Sequence, residues 1–156
     1  MPNIYLNAPC YTPTMLLSRD LCEIKPNLAQ QFDSNNESHR LKITKMVMRL
    51  FDHWKLSTAD QLELLGLSAN SRRMLTQYRK GKAIPNNRDI MDRIGWLLLI
   101  HQDLKSLYPD NPGICYSWVS RANTFFRNFT PLAMMKRNGL LGIFEVAQLL
   151  EHLTQQ

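Results

Sequence analysis

The stretch LGLSANSRRMLTQYRKGKAIP, residues 65–85, concentrates the side chains best suited to chemistry with an anion. It holds five cations, Arg72, Arg73, Arg79, Lys80 and Lys82, and no acid. Asn70, Ser71 and Gln77 stand among them. An arginine can grip guanine O6 and N7 in bidentate fashion, and asparagine or glutamine can do the same with adenine. Lysines at a helix end are better suited to phosphate oxygens, which fix register without reading sequence. The set Asn70, Ser71, Arg72, Arg73, Gln77, Arg79, Lys80 and Lys82 is therefore the candidate DNA-binding group, and a solvated basic helix face is the alternative reading of the same residues.

Such a group needs a rigid mount. In a helix-turn-helix, two short helices meet at a tight turn and the second enters the major groove. STADQLELLGLSANSRRMLTQYRKG fits that arrangement. Leu62 and Leu65 point inward, Gly66 takes the turn, and Ser68 or Asn70 caps the next helix. Met74, Leu75 and Tyr78 supply a core face while the polar set stays outward. The second helix runs over about 70–79 and stops at KGKAIP, where Gly81 and Pro85 oppose continuation.

The flanks read as helices too. From Glu37, apolar residues recur at Ile43, Val47, Leu50 and Trp54, with Met46 and Phe51 widening the stripe. Arg40, Lys42, Lys45 and Arg49 take its other faces. NNRDI opens a long helix from Arg88 to about Leu107, with Ile90, Ile94, Leu97, Leu98 and Leu104 as its core side. YPDNPG, at 108–113, is a Pro-Gly linker, and YSWVSRAN beyond it reads as a short helix. TFFRNFTPLAMMKRNG is an aromatic turn and then a helix with Thr130 as N-cap, Pro131 at the first position and Gly139 past its end. Ile143, Val146, Ala147, Leu150 and Leu153 give a last helix its apolar face. No strand alternation and no internal repeat is found, so the expected class is all-α: a helix-turn-helix bundle, then a small helical unit. The expected organisation is an extended arm over 1–35, with a short helix near Leu16–Glu23, a DNA-binding domain over 36–108 and a C-terminal domain over 114–156.

The formal net charge of the 156 residues is +6 at pH 7, which favours anionic partners and says nothing of fold. Its distribution is sharper. Ser68–Arg93 carries a local +5, and Cys115–Gly139 has Arg121, Arg127, Lys136 and Arg137 with no acid. Asp52–Leu67 instead has Asp52, Asp60 and Glu63 against Lys55. No apolar run nears the ~20 residues that a membrane span needs. With no basic start and apolar core at the N-terminus, a cytoplasmic protein without membrane association is expected. Cys10, Cys22 and Cys115 form no CxxC pair, and the four histidines have no second ligand at i+3 or i+4, so neither a disulfide framework nor a metal site is expected. Ser117 and Ser120 lack a histidine close in sequence, and Asp89 and Asp92 suit a helix start. No Gly-rich phosphate loop occurs, so no enzyme and no cofactor are expected. Trp54, Trp96 and Trp118 read as core, whereas one of Phe125, Phe126 and Phe129 is free for a partner.

LLGLSANSRRMLTQYRKGKAIP resembles the Xre/Cro-type repressor motif, in which leucine, glycine and a small polar residue precede a helix ending in an RGK or KGK turn. FDHWKLS, LLGLS, RDIMDRIGWLLLIHQDLKSLYP and SWVSRANTFFRNFTPLAMMKRNGLLGIFEVAQLL, in that order over roughly 40–155, resemble the Xre/MbcA/ParS antitoxin family. Trp118, Asn123, Phe129–Leu132 and Gly139 carry most of that likeness. The family often has a glycine before its Thr/Ser-Pro pair, where this chain has Arg127–Asn128–Phe129. The resemblance implies an antitoxin of a type II toxin–antitoxin system that represses its own operon. It also implies a C-terminal domain that occludes a separate toxin, commonly a RES-domain enzyme that consumes NAD. Arg137, Asn138, Gln155 and Gln156, polar and close to helix ends, are the candidate toxin contacts. A homodimer is expected, since one short helix reads too few base pairs. The alternative is a stand-alone Xre-type regulator whose C-terminal domain only dimerises.

Overall fold

The computed structural model describes residues 32–156. The extended arm and its short helix near Leu16–Glu23 therefore lie outside the described residues, save for 32–35. The described residues contain six α-helices and no strand, an all-α fold. They are α1 (Glu37–His53), α2 (Thr58–Leu64), α3 (Arg72–Arg79), α4 (Arg88–Leu107), α5 (Pro112–Ser117) and α6 (Pro131–Thr154), with single 3-10 turns at Ala69–Ser71, Trp118–Ser120 and Thr124–Phe126.

Short polar side chains set the helix starts, because the first N–H groups of a helix have no partner within it. The Asn36 carboxamide accepts from the Ser38 and His39 amides, at 2.9 and 3.4 Å. Ser57 Oγ accepts from the Asp60 amide at 3.1 Å and donates to the Asp60 carboxylate at 2.7 Å, closing a reciprocal cap at the head of α2. Asn87 caps α4 through the Ile90 amide (3.2 Å), and Thr130 caps α6 through the Ala133 amide (3.0 Å). The short helix after the linker starts at Pro112, ahead of the YSWV stretch, because Asn111 accepts from the Ile114 amide and Pro112 follows in the first turn.

The inward residues of all six helices form one buried cluster. It runs from Ile43, Val47 and Phe51 of α1 through Leu62, Leu75, Ile94 and Leu97 to Met135, Ile143, Val146 and Leu150 of α6. The most extensive helix packing is between α4 and α6, and Trp96 meets Phe144 edge to face there at 5.1 Å. Trp54 and Trp118 are buried as expected, while Trp96 keeps one side exposed. The residues on either side of the 108–113 linker thus share a core. Tyr116 of α5 seals one end, stacked on His53 of α1 at 4.4 Å with His101 of α4 beyond it at 5.9 Å.

Gly139 bends α6 sharply, with φ 59° and ψ −136°. Two arms result, which matches the two helices expected on either side of that glycine. The arms close so tightly that a Cβ on Gly142 would collide with the Met134 carbonyl oxygen and lie 2.9 Å from Asn138 Cβ.

Candidate nucleic-acid interface

The α2–α3 pair is built as the spacing of its leucines predicts. Leu62, Leu65, Leu75 and Tyr78 are buried and Met74 is half-buried. The chain leaves α2 through Gly66 at φ +69°, a left-handed turn that L side chains rarely adopt. A Cβ there would also stand 2.8 Å from Arg93 Nε. Arg93 pairs with Asp89 at 2.9 Å on α4, so this ion pair backs the turn. Its guanidinium reaches towards Gly139 as well, 3.8 Å from where a Cβ would be.

Asn70, Arg72, Arg73, Arg79, Lys80 and Lys82 are exposed, and Ser71 and Gln77 are half-exposed. The structure divides this group by what each member already holds. Arg72 and Arg73 have no side-chain partner among the described residues. Arg79 is committed: its guanidinium pairs with Asp52 of α1 at 2.9 Å and donates to Gln61 Oε1 of α2 at 3.1 Å. It therefore braces α3 against the two preceding helices and, of the candidate group, is the member tied by an ion pair. Gln77 accepts from Lys82 Nζ at 3.2 Å. The Ser71 and Ser68 hydroxyls bond each other at 3.0 Å, and neither caps a backbone amide.

Arg72 and Arg73 occupy the first turn of α3, and no acid stands in that turn. The positive end of a helix dipole disfavours cations, by about 0.3–1 kcal/mol each where it is fully felt. Two arginines there break the local rule, and departures of this kind concentrate at functional sites. A duplex phosphate would reverse the sign, since it is attracted both by the guanidinium groups and by the amides that no side chain caps.

The candidate toxin contacts fall in two places. Arg137 and Asn138 are exposed at the bend of α6, with Asn138 Nδ2 donating to Glu145 Oε2 at 3.4 Å. Gln155 and Gln156 end the chain, the latter bonded to His152 at 3.1 Å. The 15 residues of the second arm, Leu140 to Thr154, separate the pairs by about 22 Å, so the fold does not bring them into one patch. Among the described residues Phe129 and Leu141 are the most exposed large apolar side chains, at 52% and 61%, and Phe125 is exposed too, while Phe126 packs on the core. Lys136 is drawn inward instead. Its Nζ meets Asp60 Oδ1 at 2.6 Å and Glu63 Oε2 at 3.6 Å, tying α6 to the first helix of the pair. Asp60 and Glu63 at i and i+3 share a face of α2, the one hint in the sequence that a cation would dock there.

Burial alone would push the Asp60 carboxyl up, but the hydrogen bonds from Lys136 and Ser57 and the Lys136 charge outweigh it and hold it below its ordinary value. The bond to Asp60 correspondingly raises Lys136. Cys115 is buried, and burial pushes its thiol up. Among the described residues no group of His, Cys, Asp or Glu could hold a metal ion, and no helix is long and apolar enough to cross a membrane. An open groove of about 390 Å³, lined by Met46, Leu98, His101, Gln102, Lys105 and Ser106, involves none of the expected site residues.

No family model matches the chain, and no solved structure does. A protein of Sinorhizobium fredii (strain NBRC 101917 / NGR234), named Uncharacterized protein y4oB, is 30% identical over 104 residues, which cover 66% of this chain and 77% of that protein. At that identity and coverage, the chain belongs to the same family as the rhizobial protein.

Proposed function

We propose that this protein binds operator DNA through α2 and α3 and that it is the antitoxin of a type II pair, neutralising a cognate toxin, a RES-domain NAD-consuming enzyme, and repressing its own operon. The observation that carries the DNA half is the outward face of α3: two unpartnered arginines on its first turn, behind a left-handed glycine turn, with Lys80 and Lys82 at its far end. On this reading Arg72, Arg73 and Asn70 reach base edges, Lys80 and Lys82 meet phosphates, and two copies place their α3 helices ~34–36 Å apart in successive major-groove turns. The chain is then a cytoplasmic binding protein, a homodimer without an enzymatic activity of its own.

The toxin half rests on the resemblance of residues 114–156, together with the exposed Phe125 and Phe129 ahead of α6 and the exposed Leu141 next to its polar bend at Arg137 and Asn138. The division into a 36–108 DNA-binding part and a 114–156 toxin-binding part is a division of task within one core. That shared core favours a second reading, a stand-alone regulator in which α6 only completes and dimerises the DNA-binding unit.

Two measurements separate the readings. Full-length protein should bind the DNA upstream of its own gene, with affinity falling steeply as salt rises. Cells expressing the neighbouring toxin should survive when the full-length chain is co-expressed, and a Phe129→Asp/Leu141→Asp variant should bind DNA normally yet fail to protect. Binding with no protection by the full-length chain sinks the antitoxin reading and leaves the regulator.

A further inference from the structure

The helix pair leaves a second basic surface unexplained. Lys42, Lys45 and Arg49 of α1 are exposed, and none has a side-chain partner among the described residues. At 3.6 residues per turn they fall within an arc of about 60° and rise in steps of about 4.5 and 6 Å. Ile43, Val47, Leu50 and Trp54 hold the opposite face in the core. The three cations thus form one stripe turned away from the core, and it packs against none of the described residues.

The stripe lies next to the reading helix. The turn that follows α3 is stapled along α1: Arg40 Nε donates to the Ile84 carbonyl at 3.0 Å, and the Ile84 amide donates to Thr44 Oγ1 at 2.9 Å. Farther along, Asp52 takes the Arg79 guanidinium at 2.9 Å. Arg40, Thr44 and Asp52 recur at multiples of four residues, so they mark one row of α1, and Lys45 and Arg49 stand in the adjoining row. The closest acid along α1, Asp52, is already paired with Arg79. A polyanion running past Lys80 and Lys82 at the end of α3 therefore meets Arg49, Lys45 and Lys42 next, with no unpaired carboxylate of the described residues between.

Resting on the DNA-binding reading of α3, we infer that Lys42, Lys45 and Arg49 form a phosphate track on α1. The duplex is then held on two elements: α3 reads bases, and α1 clamps the sugar–phosphate backbone beside it without reading sequence. Each phosphate neutralised releases counterion, so three contacts contribute about 2.7 to the slope of log affinity against log salt.

The test is a salt titration of full-length protein by fluorescence anisotropy, on the duplex upstream of its gene and on a random duplex of equal length. The triple variant Lys42→Gln/Lys45→Gln/Arg49→Gln should lose about 2–3 units of slope and on the order of 10–100-fold in affinity at ~0.1 M salt. The loss should be equal on both duplexes. The charge-keeping variant Lys42→Arg/Lys45→Arg/Arg49→Lys should keep the wild-type slope, which excludes a folding defect of the stripe as the cause. Wild-type protein that binds neither duplex overturns the DNA reading and the track together. Wild-type binding with an unchanged slope in the triple variant leaves the DNA reading standing and overturns the track. A loss confined to the upstream duplex overturns it as well, since that is base readout.

Discussion

Reversing the charge at the head of α3 should strengthen the fold while abolishing the DNA binding proposed for it. Arg72→Glu/Arg73→Glu replaces two cations in the first turn by two anions, at positions where neither arginine has a side-chain partner among the described residues. Each cation removed and each anion added there gains about 0.3–1 kcal/mol against the helix dipole. The 3-10 turn at Ala69–Ser71 extends the helical run ahead of α3 and weakens the field at both sites, so the lower end applies. Four terms of ~0.3 kcal/mol come to about 1 kcal/mol, or a rise of roughly 3–5 °C in melting temperature for a chain of this size. On DNA the effect runs the other way. If each arginine reaches a base, the double variant loses about 1–3 kcal/mol per position on the cognate site, roughly 30-fold or more in all. Differential scanning fluorimetry and anisotropy on the same preparation read both effects. A variant that melts lower than wild type and binds DNA as well would refute the reasoning at both steps, because Arg72 and Arg73 would then serve the fold.

Three further outcomes follow from the packing. Gly142→Ala should destabilise by about 1–3 kcal/mol or prevent folding, since its methyl would collide with the Met134 carbonyl across the bend; urea unfolding checks this. Lys136→Met should cost about 0.5–1 kcal/mol at pH 7 for a half-exposed pair. Because the folded Asp60 pKa lies below its ordinary 3.8, that stabilisation is present above 3.8 and lost as pH falls through the folded value. The gap between wild type and variant in denaturant midpoint should therefore close below about pH 3.8. Arg127→Gly should raise stability by about 0.5 kcal/mol, because Arg127 is held at φ +51° where a side chain costs about 1–2 kcal/mol and glycine returns only part of that through the unfolded chain; a thermal melt no higher than wild type contradicts it.

Where information was local, the sequence carried it. Asn36, Ser57, Asn87 and Thr130 each sit just before an apolar period and cap the helix found there, and Gly66 and Gly139 take the positive φ that their positions called for. Pairings between distant residues were not legible. Arg79 looked like a free member of a basic helix until Asp52 and Gln61 were brought beside it, 27 and 18 residues away. Lys136 looked like part of an acid-free basic surface until the fold set it against Asp60. The Pro-Gly linker suggested separate units, because linker composition reports local chain stiffness and carries no information on whether the flanking helices share a core. Arg127 and Asn128 sit at consecutive left-handed positions where glycine would have been the recognisable signal. Their strain is borne by the Asn123 scaffold, which takes the Asn128 amide on its carbonyl and the Phe125 amide on its carboxamide.

The bond between Lys136 and Asp60 joins residues 76 apart in the chain, and it has a meaning in time as well as in space. During synthesis α2 and α3 leave the ribosome long before α6, and the 46 residues from 111 to 156 take about 2–9 s to make at 5–20 residues per second. Throughout that interval α4 lacks the helix that packs on it, and Trp96 lacks Phe144. The α2–α3 pair thus reaches its final rigidity only when α6 has been translated. A nascent or prematurely terminated chain would present exposed core, which marks it for proteolysis, and on the DNA-binding reading proposed above it would lack a rigid surface for an operator.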